Sequence, residues 1–259
     1  MQNIPINSFY SGLSGLQLDI PKRLFPPALL KVSRLTYYSS LFSSIEFNSS
    51  FYNIPQSGTV SKWAALVSEK FKFTFKLWKE ITHCKNLNFK EEDVSAFFKS
   101  INLVQEKKGC LLIQFPPVLD RKNFKQLDKL FDCIKKNDNT HEWKIAVEFR
   151  NKSWYHQSVY DLCNAHNASI VLHDFPKSAT PLLDYKADFM YIRFHGPSGN
   201  YRDSYSDDFL NEYATNIFKW IEEGKTIYVY FNNTMGDAFN NLKTLNGLVN
   251  DNQLWHNRI

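Results

Sequence analysis

Eight short apolar runs punctuate this 259-residue chain, and each ends in a polar or charged residue. Ile145-Ala146-Val147-Glu148-Phe149-Arg150, Met190-Tyr191-Ile192-Arg193-Phe194-His195 and Ile227-Tyr228-Val229-Tyr230-Phe231-Asn232-Asn233 are the clearest. A strand covered on both faces reads as a nearly continuous hydrophobic run. The runs predict strands at 9–14, 44–48, 71–78, 109–115, 144–149, 169–174, 189–195 and 226–232. Most are separated by segments of helical periodicity, such as Val94-Phe97-Phe98-Ile101-Val104, Phe124-Leu127-Leu130-Phe131-Ile134 and Ala238-Leu242-Leu245-Leu248. Another periodic stretch runs from Leu29 to Phe42. Ser206-Asp207-Asp208 reads as a capped helix start and Gly224 as its stop.

Strands alternating with helices imply βαβ units and a parallel sheet. Eight units in this length favour a single α/β domain over 1–259, a closed (β/α)8 TIM-like barrel. The segment 175–188 carries Pro176 and Pro181 with little helical pattern, so the barrel should be irregular around strands six and seven.

Side chains alternate across a strand with period two. Glu46 and Asn48 share one phase, as do Ala146, Glu148 and Arg150, and as do Tyr191, Arg193 and His195. Lys76, Gln114, Asn232 and Ser14 fall at comparable positions, and strand six ends in His173-Asp174. The polar phase therefore converges on the C-terminal rim, where barrel enzymes keep their active sites. Two of the seven arginines sit there, in a chain where lysine outnumbers arginine 24 to 7. Arginine's planar fork suits a carboxylate or a phosphate. Either Lys76, Arg150 and Arg193 receive a small anionic ligand, or Glu46, Glu148 and Asp174 neutralise all three as an internal network. In the catalytic reading Glu46 or Glu148 is the base and His195 an acid or electrophilic partner. Asn232-Asn233-Thr234-Met235-Gly236 reads either as a phosphate-binding start of the last helix or as a plain cap.

Phe51, Tyr52, Trp78, Trp154, Tyr155, Tyr201 and Tyr205 crowd the predicted loops, as stacking platforms or as core packing. A hydrolase or lyase acting on that anion is the leading reading. The alternatives are a nucleic-acid binding or processing protein, including a metal-assisted phosphodiesterase, and a non-catalytic binding scaffold, and the net charge of +5 permits an anion without demanding one. No tight His-x-His or His-Glu-x-x-His spacing predicts a metal site, and no glycine fingerprint predicts a dinucleotide cofactor. Cys84, Cys110, Cys133 and Cys163 form no Cys-x-x-Cys pair and read as reduced thiols, which suits the cytoplasm. Residues 1–8 lack a signal-peptide pattern, and no run of about 18 apolar residues predicts a membrane span. No feature of the sequence specifies an oligomeric state.

Several ordered motifs resemble one family. They are Leu35-Thr36-Tyr37-Tyr38, Ile45-Glu46-Phe47-Asn48-Ser49-Ser50-Phe51-Tyr52, Ile81-Thr82-His83 and Gln114-Phe115-Pro116-Pro117. Val147-Glu148-Phe149-Arg150 with Ser153-Trp154, Arg193-Phe194-His195-Gly196 and Tyr230-Phe231-Asn232-Asn233-Thr234 with Gly236 and Ala238 continue the series. Together they resemble the YecE-like proteins, the family of domain of unknown function 72. The resemblance implies a TIM-like barrel and a shared site containing Glu46, Asn48, His83, Gln114, Glu148, Arg150, Arg193, His195 and Asn232. It implies no established reaction. The family's first strand usually reads Gly-Thr-Ser-Gly-Trp, whereas this chain has Gly12-Leu13-Ser14-Gly15-Leu16.

Overall fold

Each apolar run becomes a parallel strand. The computed structural model describes residues 8–138, 140, 142–181 and 186–256. Residues 1–7 and residues 182–185 of the expected loop lie outside these. The strands are β1 (Phe9–Leu13), β2 (Ser44–Phe47), β3 (Lys72–Lys76), β4 (Lys108–Gln114), β5 (Lys144–Glu148), β6 (Ser169–Ile170), β7 (Leu172–His173), β8 (Phe189–Phe194) and β9 (Thr226–Phe231). The helices are α1 (Arg34–Leu41), α2 (Ser57–Ala65), α3 (Lys79–Thr82), α4 (Glu91–Ile101), α5 (Phe124–Asn137), α6 (Gln157–Ala165), α7 (Asp207–Glu222) and α8 (Ala238–His256). This is the α/β barrel order expected from the alternating pattern.

Two hydrogen-bonded ladders make up the barrel, β2-β3-β4-β5-β6 and β1-β9-β8-β7. The expected irregularity around the sixth strand is a change of partner within one run. Ser169 and Ile170 pair with β5, and Val171 N still donates to Val147 O at 2.9 Å. Leu172 and His173 then pair with β8. The second discontinuity lies between β1 and β2, where side chains replace the ladder. Tyr38 Oη accepts from Leu13 N at 2.7 Å and donates to Ser44 O at 3.1 Å. Ser11 N donates to Ser43 Oγ at 2.9 Å. A Cβ added to Gly12 would lie 2.1 Å from Ser44 O, so this close approach requires glycine.

Alternation divides the core in two. Outward residues such as Ile45, Phe73, Ile113, Val147, Ile192 and Val229 pack beneath Phe97, Leu127, Leu210, Ile217 and Leu242 of the surrounding helices. Inward residues Cys110, Leu112, Ala146, Tyr191, Tyr228 and Tyr230 fill the lumen. The four cysteines are free, and Cys110, Cys133 and Cys163 are buried.

Helix boundaries follow local capping. Ser33 accepts from Thr36 N at 3.0 Å and starts α1 later than the apolar spacing suggests; Leu29 ends a separate 3-10 turn. Ser206 caps α7 as expected, and Gly224 follows it with φ +84°. The segment 232–236 does not open the last helix, because α8 begins at Ala238. The amides of Met235, Gly236 and Asp237 donate instead to Tyr201 O, Asn233 O and Asp203 O. The amides of Met235 and Gly236, part of the segment considered from sequence as a helix start, are therefore taken by backbone carbonyls. Among the described residues, no helix is long and apolar enough to cross a membrane.

Candidate functional site

The C-terminal strand ends gather one continuous polar network. Glu46 on β2, Glu148 on β5 and Arg193 on β8 are each at most 1% exposed. Arg193 bridges the two carboxylates: Nη2 donates to Glu46 Oε1 at 2.8 Å and Nη1 to Glu148 Oε2 at 2.6 Å. Ser14 Oγ also donates to Glu46 Oε1 at 2.6 Å, and Tyr191 Oη donates to Glu46 Oε2. Arg150 Nε donates to Glu148 Oε1. The guanidiniums of Arg193 and Arg150 hold the Glu148 carboxyl well below the usual range, overcoming the opposing effect of burial. A carboxylate held this way is a weak base, so the geometry suits Glu148 to positioning arginines more than to taking a proton.

His195 follows β8 and is fully buried. Its Nε2 lies 2.9 Å from Arg150 Nη2 and 3.3 Å from Arg193 Nη1. Guanidinium nitrogens only donate, so Nε2 accepts and the ring proton sits on Nδ1. Nδ1 lies 3.2 Å from Asp174 Oδ1, which also accepts from His195 N at 2.8 Å. Tyr205 Oη donates to the other oxygen of Asp174 and accepts from Gly196 N at 2.6 Å. Burial pushes the His195 pKa down, while Asp174 and Glu148 oppose that shift. The imidazole is engaged at both nitrogens, with its proton on Nδ1 facing Asp174 and Nε2 facing the guanidiniums, an arrangement that orients Arg150.

Above this network lies a cavity of about 190 Å³, lined by Asn48, Lys76, Gln114, Arg150, Arg193 and Asn232 together with Phe51, Tyr52 and Tyr201. Every charge lining it is positive. Lys76 Nζ lies 4.2 Å from the Phe51 ring centroid, and Arg150 Cζ lies 4.3 Å from that of Phe175. Burial and the nearby Arg193 push the Lys76 pKa down to about 8, against the pull of Glu148 and Glu46. Two buried polar atoms here, Asn48 Oδ1 and Arg193 Nε, have no partner among the described residues. Tyr201 holds a left-handed backbone with φ +66°, fixed by its N donating to His195 O at 2.8 Å and its O accepting from Met235 N at 2.9 Å. Such strain in a bulky residue collects at functional sites.

The remaining predicted residues occupy distinct places. Ser14, Glu46 and Glu148 form the floor, and Asp174 stands behind His195. His83 lies at the surface and packs edge-on to Phe51; partial desolvation of its ring and the charge of Lys76 push its pKa down to about 4. Asn233 does not line the cavity; its Nδ2 donates to Asp203 O and Asn241 Oδ1, both at 3.0 Å. Leu16, in the family's tryptophan position, packs against the main core. Trp154 is buried against Phe115 and Phe149, and Tyr155 bonds to Ser178 O, so both serve packing. Sequence reasoning missed Tyr191 as a Glu46 partner and Phe175 beneath Arg150. Tyr191 shares the phase of Arg193, a signal that pointed to it; Phe175 sits in a loop without one.

No metal centre is built at the mouth from the described residues. The oxygens of Glu46 and Glu148 are engaged by Arg193, Arg150, Ser14 and Tyr191. The group with metal-compatible spacing is Asp128, Asp132 and His166, two of them exposed and all remote from the cavity.

Comparison with known proteins agrees with the fold. Residues 10–258 match the family described as "Protein of unknown function DUF72". The chain is 28% identical to the UPF0759 protein YunF of Bacillus subtilis (strain 168), over 91% of this chain and 93% of that protein. It is 22% identical to the UPF0759 protein YecE of Escherichia coli (strain K12), over 49% of this chain and 44% of that one. Among solved structures, a DUF72 family protein from Enterococcus faecalis V583 superposes with TM-score 0.76 at 22% identity, covering 93% of this chain and 95% of that one. An AP endonuclease, family 2, from Brucella melitensis shares the fold at TM-score 0.53 and 12% identity, covering 87% and 92%.

Proposed function

This chain belongs to the DUF72 family of proteins of unknown function, and from that premise we propose that its barrel mouth binds a small phosphate-bearing anion and acts on it in hydrolase or lyase chemistry. One observation carries the reading: the cavity is lined by Lys76, Arg150 and Arg193 and by no carboxylate. Glu46 and Glu148 lie beneath, where they hold the guanidiniums in fixed orientations. Preorganised donors of this kind stabilise developing negative charge without reorganising during reaction. The volume of about 190 Å³ is below the range of about 300–1,000 Å³ typical of drug-sized ligands, so the occupant is small.

Calorimetric titration with inorganic phosphate and a panel of phosphorylated metabolites tests this. Binding to the wild-type chain is expected, with at least a roughly 10-fold loss in Arg150→Ala at unchanged circular dichroism, as for loss of a charge-assisted hydrogen bond. No binding across the panel would reject the reading. The nucleic-acid alternative draws on the endonuclease likeness, which extends to the fold alone. A metal-assisted phosphodiesterase version is less well supported, because the carboxylates at the mouth are already engaged by cations and hydroxyls.

A further inference from the structure

We propose that Lys76 is a nucleophile that forms an imine with a small phosphorylated hydroxyaldehyde or hydroxyketone seated at the barrel mouth. The inference rests on the anion reading above and names its substrate class.

The cations at the mouth divide by their partners. Arg193 is committed to Glu46 and Glu148, and Arg150 to Glu148 and His195. The Lys76 ammonium, half-buried at the end of β3, has no hydrogen-bond or ion-pair partner among the described residues and lies over the Phe51 ring. An unpaired, partly desolvated ammonium beside two guanidiniums is unfavourable as a structural element. The same surroundings suit an amine nucleophile, which must shed its proton to react.

The charged and titratable groups that act on Lys76 come from several elements. Arg193 and Arg150 favour the neutral amine, Glu148 and Glu46 favour the ammonium, and His83, which also contacts Phe51, is disfavoured in its charged form by Lys76. With the pKa pushed down to about 8, the neutral amine is a minor but substantial form near neutral pH, whereas an ordinary lysine is almost wholly protonated there.

Unpartnered atoms around the amine indicate what else the ligand carries. Asn48 Oδ1 is buried without a donor, and Gln114 uses Nε2 on Phe115 O at 2.8 Å. A buried acceptor calls for a donor, which a ligand hydroxyl supplies. Arg193 Nε is a buried donor lacking an acceptor, and Arg150 Nη1 makes no hydrogen bond among the described residues, so both suit anionic oxygens.

In the step itself, the neutral Nζ attacks the carbonyl carbon and forms a C–N bond. One N–H proton moves to the former carbonyl oxygen, giving a carbinolamine. The C–O bond then breaks as water leaves with one proton from solvent, and the nitrogen lone pair forms the C=N bond of an iminium. Overall, one ammonium and one carbonyl yield one iminium and one water. In a substrate with a β-hydroxyl, the pair of the Cα–Cβ bond can then form a C=C bond as the C=N pair returns to nitrogen, giving an enamine, while the β-hydroxyl becomes a carbonyl and releases its proton to solvent water; this fits the lyase option.

Reductive trapping on the full chain tests the proposal. The protein is incubated with dihydroxyacetone phosphate and sodium borohydride, and adducts are located by peptide mass mapping. Hydride adds to the iminium carbon and leaves a stable secondary amine. The adduct on Lys76 should form at least 10-fold faster than on the exposed Lys62 and Lys125, should be suppressed by inorganic phosphate, and should be missing in Lys76→Arg. Labelling of Lys76 no faster than Lys62 and Lys125, in wild-type protein that binds phosphate by calorimetry, would overturn the imine and leave the anion reading standing. Absence of both adduct and phosphate binding would overturn the two together. Equal rates with unphosphorylated dihydroxyacetone would overturn the assigned substrate class.

Discussion

Two layers of the same lumen rest on the same strand phase and hold opposite chemistry. Ala146 and Glu148 are neighbours in that phase on β5, as are Tyr191 and Arg193 on β8, and Thr74 and Lys76 on β3. In the lower layer Tyr230 Oη sits between Ser44 Oγ at 2.6 Å and Thr74 Oγ1 at 2.7 Å, all neutral and all paired. In the upper layer two carboxylates and a guanidinium are withdrawn from water just as completely. Neutral, satisfied groups inside a core stabilise it modestly. Buried ion pairs often add nothing beyond what apolar residues of similar volume provide. The lower layer therefore accounts for packing of the lumen, whereas the upper layer is explained by what it presents to the cavity.

The sharpest way to break this contrast is to remove the shared cation. Arg193→Met should lower stability by about 3–5 kcal/mol, because Glu46 and Glu148 remain buried after losing it. Urea unfolding measures this, and a loss below about 1 kcal/mol would show that the upper layer is not coupled.

Acid should act next. Burial holds His173 at about 4 instead of 6.5; Arg150 and His195 also disfavour its protonation, while Glu148 and the Phe149 carbonyl favour it. The unfolded chain takes up that proton first, so stability falls as pH drops from 6.5 to about 4. This group's share is about 3 kcal/mol, and no further change from it is expected above that window. Glu148, whose folded pKa is depressed, extends the decline below 4.5 with the same sign. Unfolding curves across this range should flatten in His173→Gln, and an unchanged slope would remove His173 as the cause.

A third prediction separates stability from function in the upper layer. Replacing Glu46 and Glu148 with Leu and Arg193 with Met together should cost no more than about 2 kcal/mol, less than Arg193→Met alone, as for a coupled charge network. Phosphate binding should vanish in that protein. A triple variant less stable than the single one would mean the ions hold the barrel together. The smallest effect should come from the lower layer. Tyr230→Phe should cost about 1 kcal/mol, since Ser44 and Thr74 keep the partners Lys72 O and Cys110 N. Its phosphate affinity should match wild type; a marked loss would join the two layers functionally.

Much of the site was legible because a barrel strand has only two phases. Glu46, Lys76, Gln114, Glu148, Arg150, Arg193 and Asn232 end their strands in the inward phase, and the structure brings them together. The internal arginine–glutamate network, weighed from sequence against ligand binding, is present as well. What pattern could not supply was partner choice. Arg193 takes two carboxylates and Lys76 takes none, although both are inward cations. Asn233 and Asn232 are adjacent, yet one ties Asp203 to Asn241 and the other faces the cavity. A loop's direction depends on distant backbone, as the contact from Met235 N to Tyr201 O illustrates.

The sequence by itself determined the α/β alternation, the eight strand positions and the inward phase, because hydrophobic period and side-chain alternation are local properties of the chain. Only the tertiary structure decided that the sixth strand changes partner at Val171, that Tyr38 joins β1 to β2, and that Lys76 has no counter-ion among the described residues. Those outcomes depend on which groups from distant segments come within about 3 Å of one another, the reach of a hydrogen bond.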